Sequence, residues 1–212
     1  MSVNKDNGTE ALWNAFLKGE DKAFAGIYYA FINSLLSYGK KLSRDRELLH
    51  DSVQEIFMDL YQKRNNSKVP ILNPKAYLFI ALRNSILKKL QQNRKFEDKE
   101  LNDNTLGEFN IEYSFQEQLI SREISEEKRR HLHQAIVTLS PGQKEIIYLK
   151  FEENLGYKEI SELMGISIES ARKQLYRALL SLRETLSCEA FLTLFTFFLK
   201  KSKNLVHETA LF

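Results

Sequence analysis

Apolar residues return every three or four positions through most of the chain, and no stretch alternates apolar with polar. Phe24, Ile27, Tyr28, Phe31, Leu35, Tyr38 and Leu42 form one such stripe, the pattern of a helix that buries one face. Residues 9–42 therefore read as helical. Gly19 and Asp21 interrupt the pattern, which predicts a short first helix and a longer second one with Asp21 as its N-cap. A third helix is predicted from about Asp45 to Lys63. Leu49, Val53, Ile56 and Leu60 would line its inner face, and Asp51, Gln54, Glu55 and Met58 would point elsewhere. After a loop over 65–73, Asn73-Pro74 reads as a helix start: Asn caps, and Pro at the first helical position has no N–H to leave unpaired. The fourth helix carries Phe79, Leu82, Ile86 and Leu90 on its apolar face.

Beyond residue 120 the pattern resumes. Leu132, Ala135, Ile136 and Leu139 make a stripe, and Ser140-Pro141-Gly142-Gln143 has the layout of a capping box with Pro at the first position. Ile146, Ile147, Leu149 and Phe151 fill the following helix, and Asn154 and Gly156 mark its end. Ile160, Leu163 and Met164 give one more helix an inner face. Gly165 then suits a tight turn, Ser167 can cap, and Ala171, Leu175, Ala178, Leu179 and Leu182 continue a buried stripe. The predicted fold is all-α: two small helical domains, residues 9–96 and 121–186, the second containing a helix-turn-helix over 157–183. A linker over 97–120 joins them, and 187–212 is an apolar extension of unassigned role.

Charge sharpens this division. The net charge is only +3, but its distribution is uneven. Residues 74–96 hold Lys75, Arg83, Lys88, Lys89, Arg94 and Lys95 with no acid. The sign then flips: in 97–117, Glu97, Asp98, Glu100, Asp103, Glu108, Glu112 and Glu117 face only Lys99. Such a run reads as an acidic linker, or as a loosely helical segment with solvated acids. Cys188 is the single cysteine, which leaves no disulfide framework, and the four histidines are scattered, so no metal site is expected. The N-terminus lacks a signal-peptide core, and the apolar run Ala190 to Leu199 is about half a membrane span, so a cytoplasmic protein is expected. With no carboxylate cluster, Gly-rich phosphate loop or His/Cys set, no catalytic residue, cofactor or small-molecule substrate is expected either.

The helix-turn-helix supplies the candidate chemistry. Glu169, Ser170, Arg172, Lys173, Tyr176 and Arg177 would occupy the outer face of its second helix. Arg forks onto guanine edges, while Lys and Tyr reach phosphates or thymine methyls in the major groove. A charge cluster alone would equally suit a solvated basic face on a bundle helix. The glycine turn, the cap and the small crossing residue in register favour DNA reading.

Over residues 10–186 the chain resembles the extracytoplasmic-function (ECF) sigma factors of the sigma-70 family. Gly19-Glu-Asp-Lys-Ala-Phe24 with Tyr28 is similar to the family's opening helices. Asp51-Ser-Val-Gln54-Glu55-Ile-Phe57 is similar to its polymerase-binding helix, and Ala76-Tyr77-Leu-Phe-Ile-Ala-Leu-Arg83-Asn84 to its promoter-opening helix. The resemblance implies that Asp51, Gln54 and Glu55, flanked by Ile56 and Phe57, dock on the clamp helices of bacterial RNA polymerase core. It implies that Arg83, Asn84, Lys88 and Lys89 engage the minus-ten promoter element, with Tyr77 stacking on an unpaired base or packing in the core. Ser170, Arg172, Lys173, Tyr176 and Arg177 would read the minus-35 element. The acidic linker would suit basic polymerase channels. The implied partners are the polymerase core, promoter DNA and, as a regulator, an anti-sigma factor. The sequence departs from the family pattern at His50 (often an acid), Tyr77 (usually Trp), Ser161 (usually Ala), Ala171 (often Val) and Lys173 (often Ser), which bears on promoter choice rather than on activity class. The competing reading is a helix-turn-helix regulator that binds operators as a dimer. That class carries an upstream receiver or ligand domain with strands, where this chain has a helical first half with a basic helix.

Overall fold

The computed structural model describes residues 5–64, 73–96, 109, 126–188, 190–192 and 194. All regular structure among these is helical. The chain divides into two compact units, residues 1–107 and 108–212. The first holds α1 (Lys5–Leu17), α2 (Asp21–Leu42), α3 (Arg46–Lys63) and α4 (Pro74–Phe96). The second holds α5 (Glu126–Val137), α6 (Pro141–Ile147), a π-helical turn (Tyr148–Glu152), α7 (Tyr157–Met164) and α8 (Ile168–Thr185).

In the first unit α2 is central and packs on α1, α3 and α4. The predicted stripes meet there: Ile27, Phe31, Leu35 and Tyr38 of α2, Leu49, Val53, Ile56 and Leu60 of α3, and Phe79, Leu82 and Ile86 of α4 are buried, joined by Trp13 and Phe16 of α1. Removing such side chains from water is the main favourable term in holding the bundle. Helix starts follow the chemistry of orphaned N–H groups. Asn73 Oδ1 accepts from Ala76 N at 3.1 Å, and Asp45 Oδ1 from Leu48 N at 3.0 Å. One expectation is corrected: Glu20, not Asp21, is the N-cap of α2. Asp21 lies inside the first turn, where its carboxylate accepts from Arg64 Nη1 at 2.9 Å and Tyr61 Oη at 3.2 Å. Those two bonds hold it below the usual carboxylate range. The Arg64 guanidinium in turn lies 4.9 Å from the Tyr61 ring centre and 5.5 Å from that of Phe16, so the end of α3 is clipped to α1 and α2.

In the second unit α8 packs on α5, α6 and α7. Ala135, Ile136 and Leu139 are buried as predicted, as are Ala171, Leu175, Ala178 and Leu182; the side chain of Leu132 lies outside the described residues. The capping box at α6 is complete: Ser140 Oγ accepts from Gln143 N, and Gln143 Oε1 from Ser140 N. The helix predicted through Phe151 instead widens after Ile147 into a π turn closed by Glu153 N–H to Tyr148 O at 3.1 Å. Ile146 and Ile147 at the end of α6 and Tyr148, Leu149 and Phe151 in the π turn are all buried. Phe109, inside the predicted linker, belongs to this unit: it is buried, with its ring centre 5.9 Å from that of Tyr148. The rest of 97–120 lies outside the described residues, as do the side chains of Arg94 and Lys95 and the apolar extension from Phe195 onward. The extension begins as helix at 188, with Ser187 Oγ accepting from Ala190 N and Leu194 buried. No described helix is long and apolar enough to cross a membrane.

The turn between α7 and α8 depends on glycine. Gly165 has φ +68°, with nothing within 4 Å of where a Cβ would stand, so only the backbone objects to a side chain there. Gly165→Ala is expected to destabilise the second unit by about 1–2 kcal/mol, and Gly165→Asn by less, because Asn tolerates the left-handed region. Urea unfolding would measure both; equal stability of the Ala variant and the parent would contradict this account of the turn.

Candidate functional site

Helix α8 presents one side to the core and the other to solvent. Because 3.6 residues make a turn, the buried positions 171, 175, 178 and 182 leave 169, 170, 172, 173, 176 and 177 on the far face. Ser170, Arg172, Lys173, Tyr176 and Arg177 are all exposed, Tyr176 by 68%. Ser167 caps the helix, its Oγ accepting from Ser170 N at 3.1 Å, and its hydroxyl donates to Ser170 Oγ at 2.8 Å. Lys173 pairs with Glu169 one turn earlier at 2.7 Å. The Arg172 guanidinium lies 5.4 Å from the centre of the Tyr157 ring, and among the described residues Arg177 has no ion pair or ring partner. This is the surface predicted from sequence, delivered by the cap and turn predicted for it.

On α4 the basic residues do not act as one set. Asn84 and Lys88, one turn apart, are exposed, while Tyr77 and Arg83 are half-buried. Lys89 turns toward α3, where its Nζ lies 3.1 Å from Glu55 Oε2, and Ser85 Oγ donates to the same oxygen at 2.9 Å. Lys89 and then Ser85 hold the Glu55 carboxyl below its usual range. Sequence reasoning assigned Glu55 to a protein contact and Lys89 to DNA. The structure pairs them with each other across two helices, so neither is an isolated charge.

The polar ridge on α3 is real, with one correction. Asp51, Gln54 and Glu55 are exposed and, with Met58, Asp59 and Gln62, line a shallow concavity along the helix. Ile56 and Phe57, expected to flank the ridge as contact residues, are buried. They fall on the inner face by helical period, Ile56 in the core and Phe57 in the floor of a groove. That groove runs between α2 and α3 with a volume of about 610 Å³. Phe24, Tyr28, Ile32, Leu36, Val53 and Tyr61 are its apolar lining, and His50, Gln54 and Met58 stand at its edge. Phe24 and Tyr28, expected in the buried stripe, are therefore only partly covered: the Tyr28 ring centre is 4.9 Å from that of Phe57. Met58, predicted to point away from the inner face, is 54% exposed one turn after Gln54, which leaves an apolar side chain on the ridge.

Comparison with known proteins agrees with this layout. The family model of sigma-70 region 2 matches residues 27–96, and that of sigma-70 region 4 matches residues 129–182; together they cover more than half of the chain. The chain is 26% identical over 155 residues to the ECF RNA polymerase sigma factor SigM of Bacillus subtilis, covering 72% of this chain and 88% of that protein. It is 22% identical to the RNA polymerase sigma factor YlaC of the same organism, over 76% of this chain and 90% of the relative. Among solved structures, the sigma factor RpoE of Bartonella quintana, in complex with the anti-sigma factor NepR, shares the fold. Its TM-score is 0.52 at 20% identity, covering 77% of this chain and 96% of that one.

Proposed function

The chain belongs to the sigma-70 family, in its extracytoplasmic-function group, and acts as an RNA polymerase sigma factor; on that premise we propose which of its surfaces does what. The outer face of α8 reads the minus-35 element, with Arg172 on base edges and Lys173, Tyr176 and Arg177 on phosphates and groove walls. Asn84 and Lys88 of α4 engage the minus-ten element, and Tyr77, half-buried, supports α4 from behind. The ridge Asp51, Gln54 and Glu55, with Met58 and the α2–α3 groove beside it, docks on polymerase core. Charged groups would set the register there and apolar ones the affinity. The observation that carries the reading is the clean separation on α8 between buried positions and an exposed basic, aromatic face. The chain supplies promoter choice and strand opening, has no chemistry of its own, and works in the cytoplasm beside the core enzyme. The Bartonella relative's complex supports an anti-sigma factor as a further partner. An operator-binding regulator would leave the region 2 match over α2–α4 without a role.

Run-off transcription with sigma-free bacterial core tests this. The purified chain should direct transcription from selected promoters. Asp51→Ala with Gln54→Ala should weaken core affinity by about 1–3 kcal/mol, roughly 5- to 150-fold, and leave the selected sequences unchanged. Absence of core binding, with DNA bound by a free dimer, would sink the proposal.

A further inference from the structure

We infer that Tyr157 is a positioning residue for promoter reading: its ring fixes the Arg172 guanidinium before DNA arrives. The inference rests on the reading of α8 given above and deepens it.

Tyr157 is the first residue of α7, so it stands on the other helix of the helix-turn-helix from Arg172. Its ring receives two cations. Arg172 Cζ lies 5.4 Å from the ring centre and Lys150 Nζ 4.9 Å from it. Both are within the distance at which the ring's negative face attracts a cation. Lys150 is itself committed, its ammonium donating to Leu155 O at 3.2 Å. A chain of contacts therefore runs from the backbone after the π turn through Lys150 to the ring, and from the ring to the reading face. Like charges that share one ring repel, and the Leu155 carbonyl, accepting from Lys150, holds that ammonium in a place of its own.

The other cations of that face are held differently. Lys173 pairs with Glu169 on its own helix, with both side chains more than half exposed, a contact that solvent and salt weaken. Arg177 has no described partner. Arg172 alone is tied to a half-buried group on a separate helix. A long side chain loses rotamer freedom when it binds, and one already held loses less, so a preorganised Arg binds its base more tightly and with sharper geometry. Arginine's planar fork also allows one face to stay on a ring while its edge donates to guanine. Tyr157 thereby acts on promoter preference without touching a base.

The test uses holoenzyme assembled from the full chain and polymerase core, presented with promoter duplexes whose upstream element is randomised. Arg172→Ala should flatten base preference at one position. Tyr157→Leu should weaken preference at that same position by about two- to five-fold, the range for a partly exposed cation–ring contact. Tyr157→Phe, which keeps the ring, should behave as the parent. Tyr157→Leu combined with Arg172→Ala should do no more than Arg172→Ala alone, since the ring acts through that arginine. Even weakening at all positions in Tyr157→Leu, loss in Tyr157→Phe, or additive losses in the double variant would each overturn the proposal. If Arg172→Ala leaves every preference intact, the reading of Arg172 on α8 fails, and the positioning role with it. If Arg172→Ala alters preference and Tyr157→Leu does not, the positioning role alone fails.

Discussion

Phe79→Ala is expected to cost the first unit about 3–5 kcal/mol, a large share of the stability of a small domain. Phe79 is fully buried, its ring centre 5.2 Å from that of Tyr38 on α2, with Lys75 Nζ 5.7 Å from the ring. Truncation removes the transfer free energy of the ring and leaves a void between α2 and α4 that Tyr38, also fully buried, cannot fill without leaving its own site. The loss should be local. Amide exchange in the full-length chain should accelerate across α2, α3 and α4 and stay unchanged across α6, α7 and α8. In function, both proposed surfaces on the first unit should fail together, because α4 carries Asn84 and Lys88 while α3, packed on it, carries the ridge proposed to dock on polymerase. Uniform acceleration through both units, or none, would contradict the assignment of Phe79 to the first unit's core.

The second large effect is expected on the outer face of α8. Arg172→Ala should weaken minus-35 recognition by on the order of 1–3 kcal/mol, as loss of a base contact does, and Arg177→Ala should weaken binding about equally across sequences, as loss of a phosphate contact does. The two substitutions remove charge from exposed positions, so melting temperature should hardly move. Their salt signatures should differ. A residue that holds a phosphate contributes to counterion release, and its loss lowers the steepness of the salt dependence by about one unit. Arg172, held against Tyr157, is expected to act on base preference, and Arg177, without a described partner, mainly on the salt slope. Titrating holoenzyme binding against salt for each variant separates the two. Identical salt slopes and identical base preferences in both variants and the parent would remove α8 from the promoter interface.

Much of this is legible in the sequence alone. Gly165 in the left-handed turn, Ser167 and Asn73 as caps and the capping box at Ser140 are local. Each depends on the chemistry of a few consecutive residues, so the sequence states it directly. The stripes on α2, α3, α4 and α8 are legible for the same reason. What escaped depends on packing between distant segments. The pairing of Glu55 with Lys89 and Ser85 is set by how α3 meets α4, and no spacing within either helix announces it. Asp21 looked like a cap because Asp often is one; Arg64, 43 residues later, drew it into another role. The groove beside α3 left Phe24 and Tyr28 half-covered where periodicity predicted burial. The π turn replaces a helix whose apolar residues fit either winding. Phe109, a lone aromatic in an acidic stretch, carried no period at all.

The division of labour along α8 has an evolutionary consequence. Residues that hold the helix in place and residues that would meet DNA occupy separate positions, so a change at 170, 173, 176 or 177 costs the fold little. A protein built this way can drift to new promoter sequences by single steps without passing through unfolded intermediates. A library randomised at those four positions should remain largely folded while its preferred sequences scatter. Position 172 should drift less freely than its neighbours, because a new residue there must also suit the ring of Tyr157.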